Sequence, residues 1–121
     1  MKRIVFAILC CTTITIFTAC NKELELQNTN TPPTNTAPIA RAGADQTITL
    51  SKDSVMIDGS SSSDADGKIA FYSWSKISGP SSFHIVTPDS VKTIINQLAQ
   101  GVYLFELNVK DNGGLSAKDT V

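Results

Sequence analysis

The stretch "VYLFELNVK", Val102 to Lys110, decides the fold. Tyr103, Phe105, Leu107 and Val109 fall on one face, and Glu106, Asn108 and Lys110 on the other. Val102 and Leu104 break the polarity only near the start. Successive side chains of a β-strand point to opposite faces, so this pattern buries one face and wets the other. The same period runs through "KIAFYSWSK", Lys68 to Lys76, where Ala70, Tyr72 and Trp74 oppose Ile69, Phe71, Ser73 and Ser75. Shorter β-branched runs are "TITL" at 47–50, "SVMID" at 54–58 and "VKTIINQL" at 91–98. Between the runs lie Ser-Lys-Asp, Asp-Ala-Asp-Gly, Ser-Gly-Pro-Ser and Asp-Asn-Gly-Gly. Their residues favour turns, by backbone freedom at glycine and by side-chain bonds to the backbone at Asp, Asn and Ser. No segment sustains the 3.6-residue period of an amphipathic helix. The fold class is all-β.

About seven short strands at this spacing predict an antiparallel β-sandwich of immunoglobulin-like build. Trp74 sits mid-strand, where such folds bury a tryptophan, and Gly101-Val102-Tyr103 opens a later strand as a tyrosine corner would. Both are read as structural core. The last run, Leu115 to Val121, alternates enough for half a strand. It predicts a truncated final strand with unpaired ladder groups, and therefore either a natural chain that continues past Val121 or a piece of marginal stability.

The amino terminus reads differently. Met1-Lys2-Arg3 is a positive start, and Ile4 to Ala19 is apolar but punctuated by Thr12, Thr13, Thr15 and Thr18. That is the build of a secretory signal. A transmembrane anchor is the alternative, although the run is short and threonine-diluted for a span of ~20 residues. The signal ends in Phe17-Thr18-Ala19-Cys20, which resembles the lipobox of bacterial lipoproteins, with Phe17 where leucine is usual. The resemblance implies removal of residues 1–19 and acylation of Cys20, as by palmitate. It implies a chain anchored to the bacterial outer membrane, at the cell surface or the periplasmic face. An ordinary signal with a chance cysteine is the other reading. Two acyl chains anchor stably, whereas one gives only marginal membrane binding.

Cys10 and Cys11 lie within the signal and no cysteine follows Cys20, so the domain carries no disulfide. Residues 20–37 are rich in Asn, Thr and Pro and cannot bury enough to offset ordering entropy, so they read as a disordered tether. Fully stretched, the 21–37 segment reaches on the order of 55 Å. The globular part, 38–121, has seven basic and nine acidic residues, net −2. Without a basic stripe it has no footprint for nucleic acid. It is read as a monomer.

The series Asp58-Gly-Ser-Ser-Ser-Ser-Asp64-Ala-Asp66-Gly67-Lys-Ile, Tyr72-Ser-Trp74, Gly101-Val-Tyr103 and Val109-Lys-Asp111-Asn-Gly-Gly resembles a PKD (polycystic kidney disease) domain across nearly all of 38–121. Many PKD domains follow the tryptophan with Asp-Phe-Gly-Asp-Gly. Here "SKISGPSS" follows Trp74, as in PKD-like repeats of large bacterial and animal surface proteins. The family implies an immunoglobulin-like sandwich that spaces, or binds protein or polysaccharide, outside the cell, without catalysis. Some members hold calcium where the segment leading into the domain, the Asp-x-Asp-Gly loop and a later Asp meet. The matching positions are Asn35, Asp64, Asp66 and Asp111. Calcium takes six to eight oxygens, which these side chains and backbone carbonyls could supply. It is not an EF-hand, since Ser62 and Ser73 stand at the first and twelfth loop positions. The competing reading is an Asx-type turn in which Asp64 and Asp66 bond their own backbone. No cofactor is required by either.

Catalytic motifs are absent: there is no Gly-x-Ser-x-Gly, His-Glu-x-x-His, phosphate-cradling glycine loop or cysteine nucleophile, and His84 is the lone histidine. The expectation is a non-enzymatic module. The alternative is an accessory, carbohydrate-binding front end of a larger secreted enzyme or adhesin, which needs exposed aromatics. Phe6 and Phe17 leave with the signal, so Phe71 and Phe83 are the candidates.

Overall fold

The computed structural model describes residues 32–49 and 51–121. The expected signal peptide at 1–19, Cys20 and tether residues 20–31 lie outside the described residues. Among the described residues six strands form: β1 (Val55–Asp58), β2 (Ile69–Ser78), β3 (His84–Ile85), β4 (Lys92–Asn96), β5 (Leu104–Asp111) and β6 (Ser116–Thr120). They make two antiparallel three-stranded sheets, ordered β1-β4-β3 and β2-β5-β6.

The core lies between the sheets. Ile57 and Ile95 come from one, Trp74, Phe105, Leu107 and Val109 from the other, and Ala42 closes a side. Each of the larger aliphatic and Phe side chains contributes roughly 1.5–3 kcal/mol by leaving water. Trp74 is 2% exposed, and its indole Nε1 donates to the Ser90 carbonyl at 2.9 Å. Gly59 packs against this core so closely that a Cβ would stand 2.8 Å from Leu107 Cδ2 and 3.3 Å from the Trp74 ring. A side chain there would force Leu107 or the Val91 carbonyl, 3.2 Å from that position, to shift.

Two expectations change. Strict alternation puts Ile69 opposite Trp74, but it packs on the core side with Tyr72 and Trp74. The cause is a bulge: Ile69 pairs with Asp111 and Phe71 with Lys110, so Ala70 is an extra residue that reverses the phase. The "TITL" run forms no strand over its described residues 47–49, giving six strands where about seven were expected. The flanking backbone and side chains find other partners. Before the run, Arg41 N–H donates to Ser62 Oγ, Ala42 N–H to Asp119 Oδ2 and Gln46 Nε2 to the Met56 carbonyl, and at the run itself Lys52 N–H donates to the Thr49 carbonyl at 2.9 Å. β6 pairs with Glu106 through Lys110, and Val121 exchanges both backbone hydrogen bonds with Phe105.

Candidate functional site

Asp111 ends β5 on the inward phase set by Phe105, Leu107 and Val109, so the strand's own alternation buries a carboxylate to 2% exposure. A buried charge needs hydrogen-bond partners. Asp111 Oδ1 accepts the Leu115 N–H at 2.9 Å, within the tight turn that leads into β6. Oδ2 accepts Asn35 Nδ2, also at 2.9 Å. Burial pushes this carboxyl up, but the Asn35 amide and the N–H groups of Leu115, Gly114 and Gly113 outweigh it and hold it below its ordinary range.

Asn35 has a defined seat. A Cβ on Gly113 would overlap the Asn35 carboxamide at its carbon, nitrogen and oxygen, so the amide lies directly on the glycine. The next residue is held too, with Thr36 N–H donating to Asp66 Oδ2 at 2.9 Å. Asn35 and Thr36 were assigned by composition to the tether. They instead belong to a compact unit that begins at Pro33. Ile39 and Ser63 then exchange two backbone hydrogen bonds, which bring this lead-in beside the Asp-Ala-Asp-Gly loop.

Asp64 is the unusual member. Both its carboxylate oxygens are closed to solvent, yet neither has a hydrogen-bond partner. Removal from water pushes its carboxyl up, the Asp66 backbone N–H facing it works the other way, and the Asp66 and Asp111 carboxylates add to the rise. Asp64 Oδ2 would stand 2.7 Å from a Cβ on Gly67, and the Asn112 side-chain oxygen also crowds that position. Asn112 laces the two loops together, its N–H donating to the Lys68 carbonyl and its Oδ1 accepting the Lys68 N–H, each at 3.2 Å.

Asn35, Asp64, Asp66 and Asp111 thus meet at one end of the sandwich. As donors they suit a hard cation: all can present oxygen, and two buried oxygens of Asp64 are unpaired. They are not gathered around one point. Among the described residues no three His, Cys, Asp or Glu side chains form a ready metal-holding group. Asp66 and Asp111 are drawn instead to the N–H donors of Thr36 and Asn35.

The other candidates lie elsewhere. Phe71 is 47% exposed on the outer face of β2, across from Lys110. Phe83 does not share that surface. It is half-buried, with the Phe105 ring 6.1 Å away and the Lys76 ammonium 4.3 Å from its centroid. Tyr103 lies near the opposite end of β5 from Asp111. Its ring stacks on Phe105 at 5.9 Å, and its hydroxyl accepts the Ala99 N–H at 2.9 Å and donates to the Ser82 carbonyl at 2.7 Å. His84 is exposed and pairs with Asn96 across β3 and β4.

The family profile described as "K319L-like, PKD domain" matches residues 42–121. The chain belongs to the PKD domain family. Its PKD domain is 40% identical over 90 residues to human dyslexia-associated protein KIAA0319, covering 74% of this chain and 8% of that protein. Mouse low-density lipoprotein receptor-related protein 11 is 35% identical over 91 residues, covering 74% of this chain and 19% of its own length. The solution structure of the PKD domain from the KIAA 1837 protein superposes with a TM-score of 0.64 at 35% identity, covering 73% of this chain and 85% of that one. The chain therefore spans a small fraction of the curated relatives and most of the solved domain.

Sequence reasoning did not single out Thr36, Asn112 or Gly113. Thr36 acts through its backbone N–H, which leaves no compositional trace. Asn112 and Gly113 stood in plain view as Asp-Asn-Gly-Gly turn chemistry, and only the position of Asn35 gives them another role.

Proposed function

We propose that this chain is an exported, lipid-anchored, non-catalytic display module. Cys20 carries the acyl chains, the following residues form a tether, and the PKD sandwich is held outside the membrane to bind a protein or polysaccharide or to act as a spacer. The observation that carries this reading is the PKD domain over 42–121, set behind a charged and apolar leader that ends in Thr18-Ala19-Cys20. The relatives named above come from human and mouse, so the bacterial-type anchor is supported by the leader alone. Calcium is the proposed structural ion at the acidic end, with Asp64, Asp66, Asp111 and Asn35 as its side-chain donors. A bound cation would supply the positive charge that three neighbouring carboxylates lack.

Replacing Cys20 tests the anchor. Cys20→Ala should release the protein from the membrane fraction and abolish incorporation of labelled fatty acid. Unchanged membrane retention would mean an uncleaved helix instead. A second reading, an accessory carbohydrate-binding module, is favoured by the exposure of Phe71. Retention on insoluble polysaccharide at high salt, lost in Phe71→Ala, is its signature.

A further inference from the structure

We infer that Asn112-Gly113 is a self-modification site. Asn112 can cyclise onto the Gly113 nitrogen and hydrolyse to aspartate or isoaspartate, and a clasp to Lys68 restrains it until the loops here open. This is the one Asn-Gly pair in the chain. The reaction needs the backbone nitrogen of the following residue to reach the side-chain carbonyl carbon. Glycine permits that best, because it has no Cβ in the way and the widest backbone range. Both residues are exposed, so water, the second reactant, has access.

The Gly113 nitrogen gives its proton to solvent as it bonds to Asn112 Cγ. The Cγ–Nδ2 bond breaks, and Nδ2 takes up a proton and leaves as ammonia. Water then opens the five-membered succinimide at one of its two carbonyls. Attack at Cγ gives an aspartate at 112. Attack at the main-chain carbonyl gives isoaspartate, in which the chain runs on through the side chain.

The fold opposes the first of these steps. Asn112 Oδ1 accepts the Lys68 N–H and Asn112 N–H donates to the Lys68 carbonyl, each at 3.2 Å, so the residue is pinned by side chain and backbone. Its carboxamide reaches to the neighbouring loop, where a Cβ on Gly67 would overlap Oδ1 and stand 3.4 Å from Cγ. Ring closure needs the carboxamide to turn its face to the Gly113 nitrogen, and the Lys68 bond resists that turn. The product does not fit back. Isoaspartate adds one carbon to the main chain of a turn whose ends are tied by Asp111 N–H to the Leu115 carbonyl and Leu115 N–H to Asp111 Oδ1, both at 2.9 Å. The added length displaces Gly113, on which the Asn35 carboxamide lies, and a further carboxylate joins Asp64, Asp66 and Asp111. The change is one-way and unseats Asn35 and Thr36.

The test incubates the full chain in detergent solution at mildly alkaline pH, native or in urea. Peptide mapping follows the exchange of ammonia for water at position 112, and enzymatic methylation of isoaspartate identifies the product. Conversion should be slower in the native chain than in urea. Equal rates overturn the clasp, and no conversion in urea overturns the site. Gly67 is not among the positive-φ glycines, so Gly67→Ala acts by crowding Asn112 Oδ1 and Asp64 Oδ2 rather than by straining the backbone. It should speed native conversion about two- to tenfold, the factor by which loss of one hydrogen bond favours local opening. An unchanged rate in the folded variant overturns the clasp. If Trp74 fluorescence shows that variant unfolded, the wild-type rate in rising urea decides. It should climb below the unfolding transition, and a rise only at the transition overturns local release. In the purified isoaspartate form the Thr36 amide, bonded to Asp66 in the unmodified chain, should exchange fast while Phe105 and Leu107 stay protected. Slow Thr36 exchange in that form overturns the unseating.

Discussion

β5 carries Phe105 near one end and Asp111 at the other, roughly 20 Å apart at strand spacing, and the two ends of the sandwich are closed by opposite chemistry. At the Phe105 end, an open groove of about 500 Å³ is lined by Ile48, Val55, Leu98, Tyr103 and Val121 over Phe105 itself. Phe83 and Tyr103 both pack on the Phe105 ring. At the Asp111 end, carboxylates, amides and glycine backbone meet, and one buried carboxylate has no partner. The apolar end is held mainly by packing, and its Tyr103 hydroxyl is fully paired within the protein. The polar end is held by directional bonds and is incomplete as it stands, so its stability depends on what the solvent provides.

Perturbing the apolar end should give the largest effects, equal with and without calcium. Phe105→Ala should cost about 3–5 kcal/mol in urea unfolding, because it empties a site that its neighbours cannot close. Tyr103→Phe keeps the stack but leaves the Ala99 N–H and Ser82 carbonyl without their partner, and should cost about 1–2 kcal/mol. A calcium-dependent difference for either variant would break the contrast between the ends. At the polar end, Asp64→Asn removes an unpartnered buried charge, so in chelator it should raise the melting temperature, while in calcium it should abolish any further rise. The smallest effect belongs to neither end. Asp58, paired with Lys92 at 2.8 Å on an exposed edge, has its carboxyl lowered to about 2 by the Lys92 ammonium and by Ser60. A carboxyl lowered on folding stabilises above its unfolded value of about 3.9, and that stability is lost as pH falls through about 2. Asp58→Asn should slightly lower the urea midpoint near neutrality, and the difference from wild type should shrink between pH 4 and pH 2 and vanish below it.

β5 could be read directly from its residues because no bulge interrupts its alternation. β2 could not, because the extra residue at Ala70 reverses the phase and only the pairing with Asp111 and Lys110 reveals it. "TITL" has strand composition, but its Thr49 carbonyl accepts the Lys52 N–H, a local bond that composition does not report. For the acidic end, the PKD resemblance supplied Asn35, Asp64, Asp66 and Asp111, while composition put Asn35 in the tether. Its docking depends on a bare patch at Gly113, and the absence of a side chain leaves no pattern to read.

The most direct measurement is the melting temperature of the wild-type chain and of Asp66→Asn, each in millimolar calcium and in chelator. Calcium that binds only the folded state adds about 2.7 kcal/mol at a hundredfold excess over Kd. The wild type should therefore melt higher in calcium than in chelator, and Asp66→Asn should lose most of the difference. Identical wild-type melts in the two conditions would contradict the account and leave Asp64-Ala65-Asp66-Gly67 as a turn.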